Sequence, residues 1–406
     1  MKKLLGLVLA LLVALLPVVG LAQGATLTMG SWRADDVDQM NNLLSIYKEK
    51  TGVDIQFQPI NPPEYNATLR LQLDSGTGPD LMYSRSYATG LELFTAGYAG
   101  DCTEIPGVMD NFSELSRAPW ATPEGKMFAV PFAAVSHGVY YNKDIFAANK
   151  IEIPTTFEEL LAACETLKAA GITPFSNGVA DQWDILECFF MGMLPNYIGG
   201  AEGRIKYENG EAKLNDENFV AAFADIAKLA PYFPEGYEAV TYNDSQILFA
   251  TGKAAMFMDG SWTCGTYGDV GFEWSVFAMP APAARKTAVC FHPDLAITYN
   301  ATSKYPEECK AFLAWLASEE GVTAATANLP AGYFPLAKFP VTFTDAHINE
   351  ILALNEGKET DARFVWPKLM NLYAPLNIAV IQTIKGEITA QQAGDNMVAE
   401  FDKLAK

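Results

Sequence analysis

The sequence predicts an α/β protein of two lobes, in which a mostly parallel β-sheet is covered by helices. The chain has 406 residues, of which 50% are hydrophobic and 19% charged, so it has enough apolar side chains for two cores of ordinary size. From Ala25 onward, short strand-like segments alternate with longer helix-like segments, a rhythm typical of parallel strands connected by helices. No Gly/Ser-rich linker divides the chain, which favours a hinge made of ordered strands.

The first lobe is predicted from a regular succession of apolar patterns. Residues 53–57 alternate apolar and polar side chains, as a half-buried strand does. The other predicted elements are strands at residues 26–29 and 80–83 and helices at residues 35–50, 63–73 and 87–97. The β-α-β order of these elements implies that the strands are neighbours in a parallel sheet.

The second lobe begins with a predicted strand at residues 135–141. Thr156 and Glu159 have the spacing of a capping box, so we expect a helix to begin there. Two long helices are predicted to close the chain, at residues 366–385 and 389–406.

A further strand of the second lobe is predicted at residues 254–258, a run of small and apolar side chains. Gly252 can end the preceding helix in a left-handed conformation, so that this buried strand begins at once. Residues 259–260 are predicted to form a turn that places Trp262 outside the strand.

The first 22 residues have the pattern of a secretory signal peptide. Two lysines precede an apolar run at residues 4–16, which is followed by small residues at 20–22. The run is short for a bilayer span, so we predict cleavage after residue 22 and export. The first cysteine is Cys102, so no lipid-anchor cysteine follows the cleavage site, and we expect a monomer in the periplasm.

The charge of the chain excludes several partner classes. It carries 28 basic and 48 acidic residues, a net charge of −20. This charge repels polyanions and provides no counterion release, so nucleic acids and anionic membranes are poor partners. Aromatic residues make up 12% of the chain, which suggests a ligand with flat faces.

The residue patterns of common metal, cofactor and nucleophile sites are missing. There is no CxxC or HExxH motif, and the phosphate-loop, dinucleotide and GxSxG patterns are incomplete or absent. Six cysteines are scattered along the chain, and we expect mostly buried thiols with one disulfide possible. The three histidines, His137, His292 and His347, are too few and too far apart in the sequence to predict a metal site. We therefore predict neither a metal nor a cofactor.

Four segments in order resemble the bacterial extracellular solute-binding proteins of carbohydrate ABC importers, a family that includes the maltodextrin-binding proteins. They are GPDL at residues 78–81; GKMFAVPF at 125–132 with YYNKDIF at 140–146 and PTTFEEL at 154–160; FATGKAAMFMDGSW at 249–262; and AFLAWL at 311–316 with SEE at 318–320. The resemblance covers most of the chain behind the predicted signal peptide.

The resemblance implies the type II periplasmic-binding-protein fold, also called the Venus-flytrap fold, with crossing strands as the hinge. It implies a first lobe of residues 25–132 plus 294–334 and a second lobe of residues 133–293 plus 335–406. The crossovers are then expected near residues 133–138, 290–293 and 335–343. Ligand would bind between the lobes, and closure would present it to a membrane permease.

A carbohydrate site needs aromatic planes for the sugar faces and charged or amide groups for the hydroxyls. Trp262 follows the turn at which the family often stacks a sugar ring. Trp32, with Arg33 beside it, follows the first strand, where open α/β sheets bind ligands. Asp181 and Trp183 offer polar edges and a ring from the second lobe.

The remaining candidates rest on their position in the family pattern or on local chemistry. The resemblance implies that the loop with Ser84, Arg85 and Tyr87 reaches the ligand, and that Tyr373 supplies a stacking ring. Ser84 stands where maltodextrin binders tend to place a large aromatic residue, which argues against a long linear glucan. Asp36, Glu64 and His292 complete the set of candidates.

The predicted function is capture of a sugar or oligosaccharide for an ABC importer, with no catalysis. One alternative keeps the fold but changes the ligand to a polyamine or another non-sugar solute. A second alternative is an exported glycoside-cleaving enzyme, which requires two facing carboxyl groups, one with a raised pKa.

Overall fold

The computed structural model describes residues 24–33, 36–362, 366 and 369–404. The predicted signal peptide at residues 1–22 lies outside these described residues. Within them, no helix has both the length and the apolar character required to span a membrane.

The helices and strands follow the predicted alternation. Up to residue 142 they are β1 (Thr26–Ser31), α1 (Val37–Thr51), β2 (Asp54–Pro59), α2 (Pro62–Asp74), β3 (Leu81–Ser84), α3 (Tyr87–Thr95), α4 (Glu114–Arg117) and β4 (Val130–Asn142). Up to residue 260 there follow α5 (Lys143–Ala148), α6 (Phe157–Ala169), β5 (Thr173–Phe175), a π-helical segment (Ile185–Phe190), α7 (Met191–Met193), α8 (Pro195–Ile198), α9 (Gly200–Glu208), α10 (Glu217–Leu229), α11 (Tyr242–Ala250) and β6 (Ala254–Gly260).

The rest of the chain returns to the first half of the sheet before it ends in helices. Its elements are a 3₁₀ segment (Ser261–Tyr267), β7 (Trp274–Phe277), β8 (Val289–Tyr299), α12 (Pro306–Leu316), α13 (Glu319–Asn328), β9 (Phe334–Pro335), α14 (Ala346–Ala353), β10 (Thr360–Asp361), α15 (Tyr373–Ile384) and α16 (Ala390–Leu404).

Local sequence signals account for several of these boundaries. The capping box at the start of α6 is confirmed, because Thr156 Oγ1 accepts from the backbone N–H of Glu159 while the Glu159 carboxylate accepts from that of Thr156. Gly252 has φ +67° after α11, the left-handed conformation that glycine adopts at low energy. It lets buried β6 begin two residues later.

The sheet has the strand order β2-β1-β3-β8-β4-β6-β5. β1 pairs in parallel with β2 and β3, and β5 pairs in parallel with β6. The expectation of a mostly parallel sheet is wrong in the middle, where β8 is antiparallel to β3 and β4, and β4 is antiparallel to β6. The α/β class is confirmed. The antiparallel pairs at the centre are those made by the two long strands, β4 and β8.

β4 and β8 connect the two ends of the sheet. Residues 130–136 of β4 pair with β8, whereas residues 137–141 pair with β6. The β4–β8 register shifts between Pro131 and Ala134, as at a β-bulge, which bends a strand. β9 also pairs with β4 here. This arrangement places parts of all three predicted crossovers at one point.

Two large hydrophobic cores take up opposite ends of β4: Val130 and Val135 contribute to the first core and Val139 contributes to the second. The first gathers side chains from residues 25–135 and 295–333. The second gathers side chains from residues 139–279 and 366–397. This division parallels the lobe boundaries expected from the sequence, which stay a prediction.

The end of β6 differs from the expected turn, whereas the cysteines match the expectation of buried thiols. The turn predicted at residues 259–260 is wrong, because β6 continues through Gly260 and the chain turns in the 3₁₀ segment that follows. None of the six cysteines, all of which lie within the described residues, forms a disulfide, and all are buried. The expectation of buried thiols is therefore confirmed.

Candidate ligand-binding site

Three aromatic side chains come together beside β4, where Trp262 contacts His137. They are Trp183, Tyr242 and Trp262, here called the aromatic cluster. The ring centroids of Trp183 and Tyr242 are 4.7 Å apart, and those of Trp183 and Trp262 are 6.5 Å apart. Trp262 Nε1 donates a hydrogen bond of 2.7 Å to Tyr242 Oη. All three side chains are half-buried, so the cluster presents ring surface whose orientation is fixed. Such a surface can stack against a flat apolar ligand face.

The cluster is assembled from three separate segments. Trp183 precedes the π-helical segment, and Trp262 lies in the 3₁₀ segment after β6. Tyr242 is the first residue of α11, which begins with a capping box in which Thr241 Oγ1 accepts from the backbone N–H of Asp244. A helix end that is fixed in this way holds the Tyr242 hydroxyl where the Trp262 indole can reach it.

Gly260 makes room for the Trp262 indole. A Cβ placed on Gly260 would lie 2.1 Å from a ring atom of Trp262, much closer than van der Waals contact. The Gly260 backbone has φ −83° and ψ 163°, which any residue can adopt. The requirement for glycine is therefore a requirement for space above the end of β6.

Two buried carboxyl groups lie behind the aromatic cluster. Asp259 is fully buried, and its Oδ2 accepts a hydrogen bond of 2.8 Å from Tyr242 Oη. Asp184, directly after Trp183, is 1% exposed. Burial raises the pKa of each carboxyl to about 7, because charge is disfavoured away from water.

These raised pKa values predict that the contribution of Asp184 and Asp259 to stability falls as pH rises from about 4 to about 7. In this range the folded state holds protons that the unfolded carboxyls have released, so the free energy of unfolding decreases with pH. We expect the Asp259→Asn variant to lose less melting temperature between pH 5 and pH 8 than the unmodified protein. Thermal unfolding at both pH values measures this difference.

The matched control is Asp244→Asn, because Asp244 is exposed and its hydrogen bonds with Thr241 lower its pKa. This variant should keep the melting-temperature loss of the unmodified protein between pH 5 and pH 8. An equal loss in the Asp259→Asn variant would contradict the assignment of the titration to Asp259.

In the first half of the chain, Trp32 is a platform for a cation. Its ring packs edge-on against Tyr65 and Tyr83, with centroids 5.5 and 5.4 Å away. The Arg85 guanidinium lies 3.8 Å above the ring, a cation–π contact. Trp32 is 6% exposed, and Arg85 covers one face of its ring. At this position the group that can make polar contacts is therefore the Arg85 guanidinium rather than the Trp32 ring.

Arg33, Asp36 and Tyr333 form a second polar group near the end of β1. Arg33 Nε and Nη2 donate hydrogen bonds of 2.6 and 2.7 Å to the two carboxylate oxygens of Asp36. The Arg33 guanidinium also lies 5.1 Å from the centre of the Tyr333 ring. The paired guanidinium is held rigidly, which suits bidentate recognition of polar ligands.

Two histidines on the paired strands β4 and β8 lie next to the aromatic cluster. His137 on β4 and His292 on β8 are 155 positions apart in sequence, yet their Nε2 atoms lie 3.3 Å apart. The His137 ring meets Trp262 edge to face at 5.4 Å. The expectation that the histidines lie too far apart to group is therefore wrong for this pair, because strand pairing between β4 and β8 brings them together.

The sequence model of the bacterial extracellular solute-binding protein family matches residues 29–323. The chain belongs to this family. The resemblance found in the four sequence segments is thereby confirmed.

Two relatives match this solute-binding protein over most of their own length. A multiple sugar-binding protein of Streptococcus mutans is 24% identical over 330 residues, which cover 78% of this chain and 76% of the relative. The maltodextrin-binding protein MdxE of Bacillus subtilis is 22% identical over 295 residues, which cover 71% of this chain and 68% of the relative.

Solved structures share the fold. The bacterial solute receptor AcbH, described as having an exclusive preference for β-D-galactopyranose, aligns with a TM-score of 0.82 at 17% identity. The alignment covers 94% of this chain and 100% of AcbH. The two-lobed fold of the family is therefore confirmed for this solute-binding protein.

Three other predicted ligand residues of this solute-binding protein form hydrogen bonds within the chain. Tyr373 is half-buried, and its hydroxyl donates to the carboxylate of Glu187. The exposed Asp181 accepts a hydrogen bond of 2.8 Å from the backbone N–H of Tyr242, so it supports the aromatic cluster from the loop side. The buried Ser84 hydroxyl donates to the carbonyl of Arg85 at 3.2 Å.

Backbone conformation marks two of the predicted loops. Three described non-glycine residues have positive φ angles, and two of them are Tyr87 and Gln182, at 54° and 66°. Such conformations are uncommon outside glycine and cluster at functional sites. Glu64, by contrast, is exposed in the first turn of α2.

Sequence reasoning missed Tyr242, Gly260 and His137. The capping box of α11 was readable in the sequence, and it would have placed Tyr242 at an exposed helix start. The role of Gly260 depends on where an indole two residues later folds back, and that of His137 depends on long-range strand pairing. No local pattern encodes either relation.

Proposed function

We propose that this protein captures a sugar or oligosaccharide between its lobes and delivers it to the permease of an ABC importer. The observation that carries the proposal is the half-buried aromatic cluster of Trp183, Tyr242 and Trp262, fixed by the Trp262–Tyr242 hydrogen bond. Membership of the solute-binding family and the sugar-binding names of its relatives support the same function.

In this proposal, each half of the chain contributes a different chemistry to the ligand. The aromatic cluster stacks on the C–H face of a sugar ring. Arg33 and Arg85, held by Asp36 and Trp32, recognise hydroxyl groups from the other side. A ligand that contacts both halves stabilises the closed arrangement, and the permease responds to the population of that state.

The proposal includes export through the signal peptide at residues 1–22, residence in the periplasm as a monomer, and no catalysis. The buried positions of Asp184 and Asp259 support the last point, because a glycoside-cleaving pair must face the substrate. Incubation with oligosaccharides should therefore release no new reducing ends, and their appearance would favour the enzyme alternative.

Thermal unfolding against a solute panel tests the ligand class. The panel contains mono- and oligosaccharides together with spermidine, ferric citrate and phosphate. A ligand present at a hundred times its dissociation constant stabilises the folded state by about 2.7 kcal/mol, so we expect one sugar to raise the melting temperature by several degrees. A rise with spermidine, iron or phosphate alone would keep the fold and overturn the sugar assignment.

A further inference from the structure

A compact group of possible metal ligands lies on the paired strands β4 and β8, outside the aromatic cluster. His137, Cys290 and His292 are 2%, 0% and 2% exposed. One ligand atom from each of them lies within 4.8 Å of the other two. Two imidazole nitrogens and one thiol are a donor set that soft and borderline transition metals prefer.

We propose that His137, Cys290 and His292 bind a Zn²⁺ ion at the hinge of this protein. Zn–N bonds of about 2.0 Å and Zn–S bonds of about 2.3 Å place tetrahedral ligand atoms about 3.3 to 3.6 Å apart. The two histidine Nε2 atoms are already 3.3 Å apart. The upper limit of 4.8 Å for the group requires at most a small inward movement of its side chains.

The orientation of His292 fits the role of a metal ligand. Its Nδ1 lies 3.0 Å from the carbonyl oxygen of Pro293. A carbonyl only accepts, so Nδ1 carries the proton of the neutral ring and Nε2 presents its lone pair to the group. Metal-binding histidines are commonly oriented in this way, by a backbone carbonyl on the other ring nitrogen.

Metal binding changes both the charge and the proton count of the site. Zn²⁺ deprotonates a coordinating thiol, so Cys290 contributes one negative charge and releases one proton. The two imidazoles bind as neutral rings, and His137 presents its Nε2 lone pair when its proton resides on Nδ1. The buried site then carries one net positive charge, and the fourth coordination position is available to water.

The position of the site gives it a consequence for ligand binding. His137 belongs to β4, whereas Cys290 and His292 belong to β8, so the metal would tie the two crossing strands together. The His137 ring also meets the Trp262 ring at 5.4 Å. Zn²⁺ binding should therefore change the fluorescence of the protein through Trp262, independently of whether the solute is a sugar.

Calorimetric titration of the reduced, chelator-treated protein with Zn²⁺ tests the proposal, with Mg²⁺ as the control ion. We expect one Zn²⁺ per chain and no Mg²⁺ binding at this site. Cys290→Ser and His292→Gln should each weaken Zn²⁺ binding by at least about tenfold. Changes to residues that only hydrogen-bond to a metal ligand already weaken metal binding by about tenfold or more, so loss of a ligand itself should cost at least as much. Cys164→Ser and His347→Gln, which alter a buried thiol and a histidine elsewhere, should leave it unchanged.

Spectroscopy of the unmodified protein keeps the proposal testable if a variant does not fold. Co²⁺ in the site should produce a thiolate-to-metal charge-transfer band, and X-ray absorption of the Zn²⁺ form should report one sulfur and two imidazole ligands. A shell of oxygen and nitrogen alone, no stoichiometric binding, or equal affinity in folded Cys290→Ser and His292→Gln would overturn the proposal.

Discussion

Replacement of Trp262 by alanine is expected to weaken ligand binding by at least about 2 kcal/mol, which is roughly thirtyfold in dissociation constant. Truncation of a central, well-packed tryptophan typically has an effect of this size. Here the change removes the ring that Trp183 and Tyr242 hold in place and frees the Tyr242 hydroxyl from its 2.7 Å hydrogen bond. Calorimetric titration with the sugar identified by the thermal screen measures the loss.

Two further variants divide this effect into its physical parts. Trp262→Phe keeps an aromatic plane but loses the indole N–H. We therefore expect its affinity for the ligand to lie between the affinities of the unmodified protein and of Trp262→Ala. Tyr237→Ala is the control, because Tyr237 is a half-buried aromatic residue that packs on Phe233, away from the aromatic cluster. Equal affinities of Trp262→Ala and Tyr237→Ala would contradict the role assigned to the cluster.

The sequence predicted the elements that local chemistry determines. Strands β1 to β3, the capping box of α6 and the left-handed Gly252 depend on side-chain alternation or on a few neighbouring residues, so they could be read directly. The antiparallel centre of the sheet could not, because β8 joins β3 and β4 across more than 150 positions of sequence. Pairing at that distance is decided by the packing of the two cores.

The candidate site divides along the same line. Trp262 and Trp183 could be proposed individually, as aromatic residues in loops that follow recognisable segments. Their mutual contact depends on Tyr242, which reaches Trp262 from a third segment and also hydrogen-bonds to Asp259. A sequence indicates which residues suit a ligand, whereas the tertiary fold decides which of them meet.

Replacement of Gly260 by alanine is expected to weaken ligand binding about as strongly as loss of the Trp262 ring. The new Cβ would lie 2.1 Å from that ring, so the indole must leave its position and break its hydrogen bond to Tyr242. Overpacking of this kind also lowers the free energy of unfolding, typically by about 1 to 3 kcal/mol. Calorimetric titration and thermal unfolding of the same preparation measure the two losses separately.

The physical cause can be isolated by combining the two changes. In the Trp262→Ala background no indole remains to collide with the added methyl group, so Gly260→Ala should there cost little further affinity or stability. Coupling between residues in contact makes their effects non-additive in this way. Fully additive losses would mean that Gly260 serves the strand end rather than the indole, and the aromatic cluster would then owe its position to the Tyr242 hydrogen bond alone.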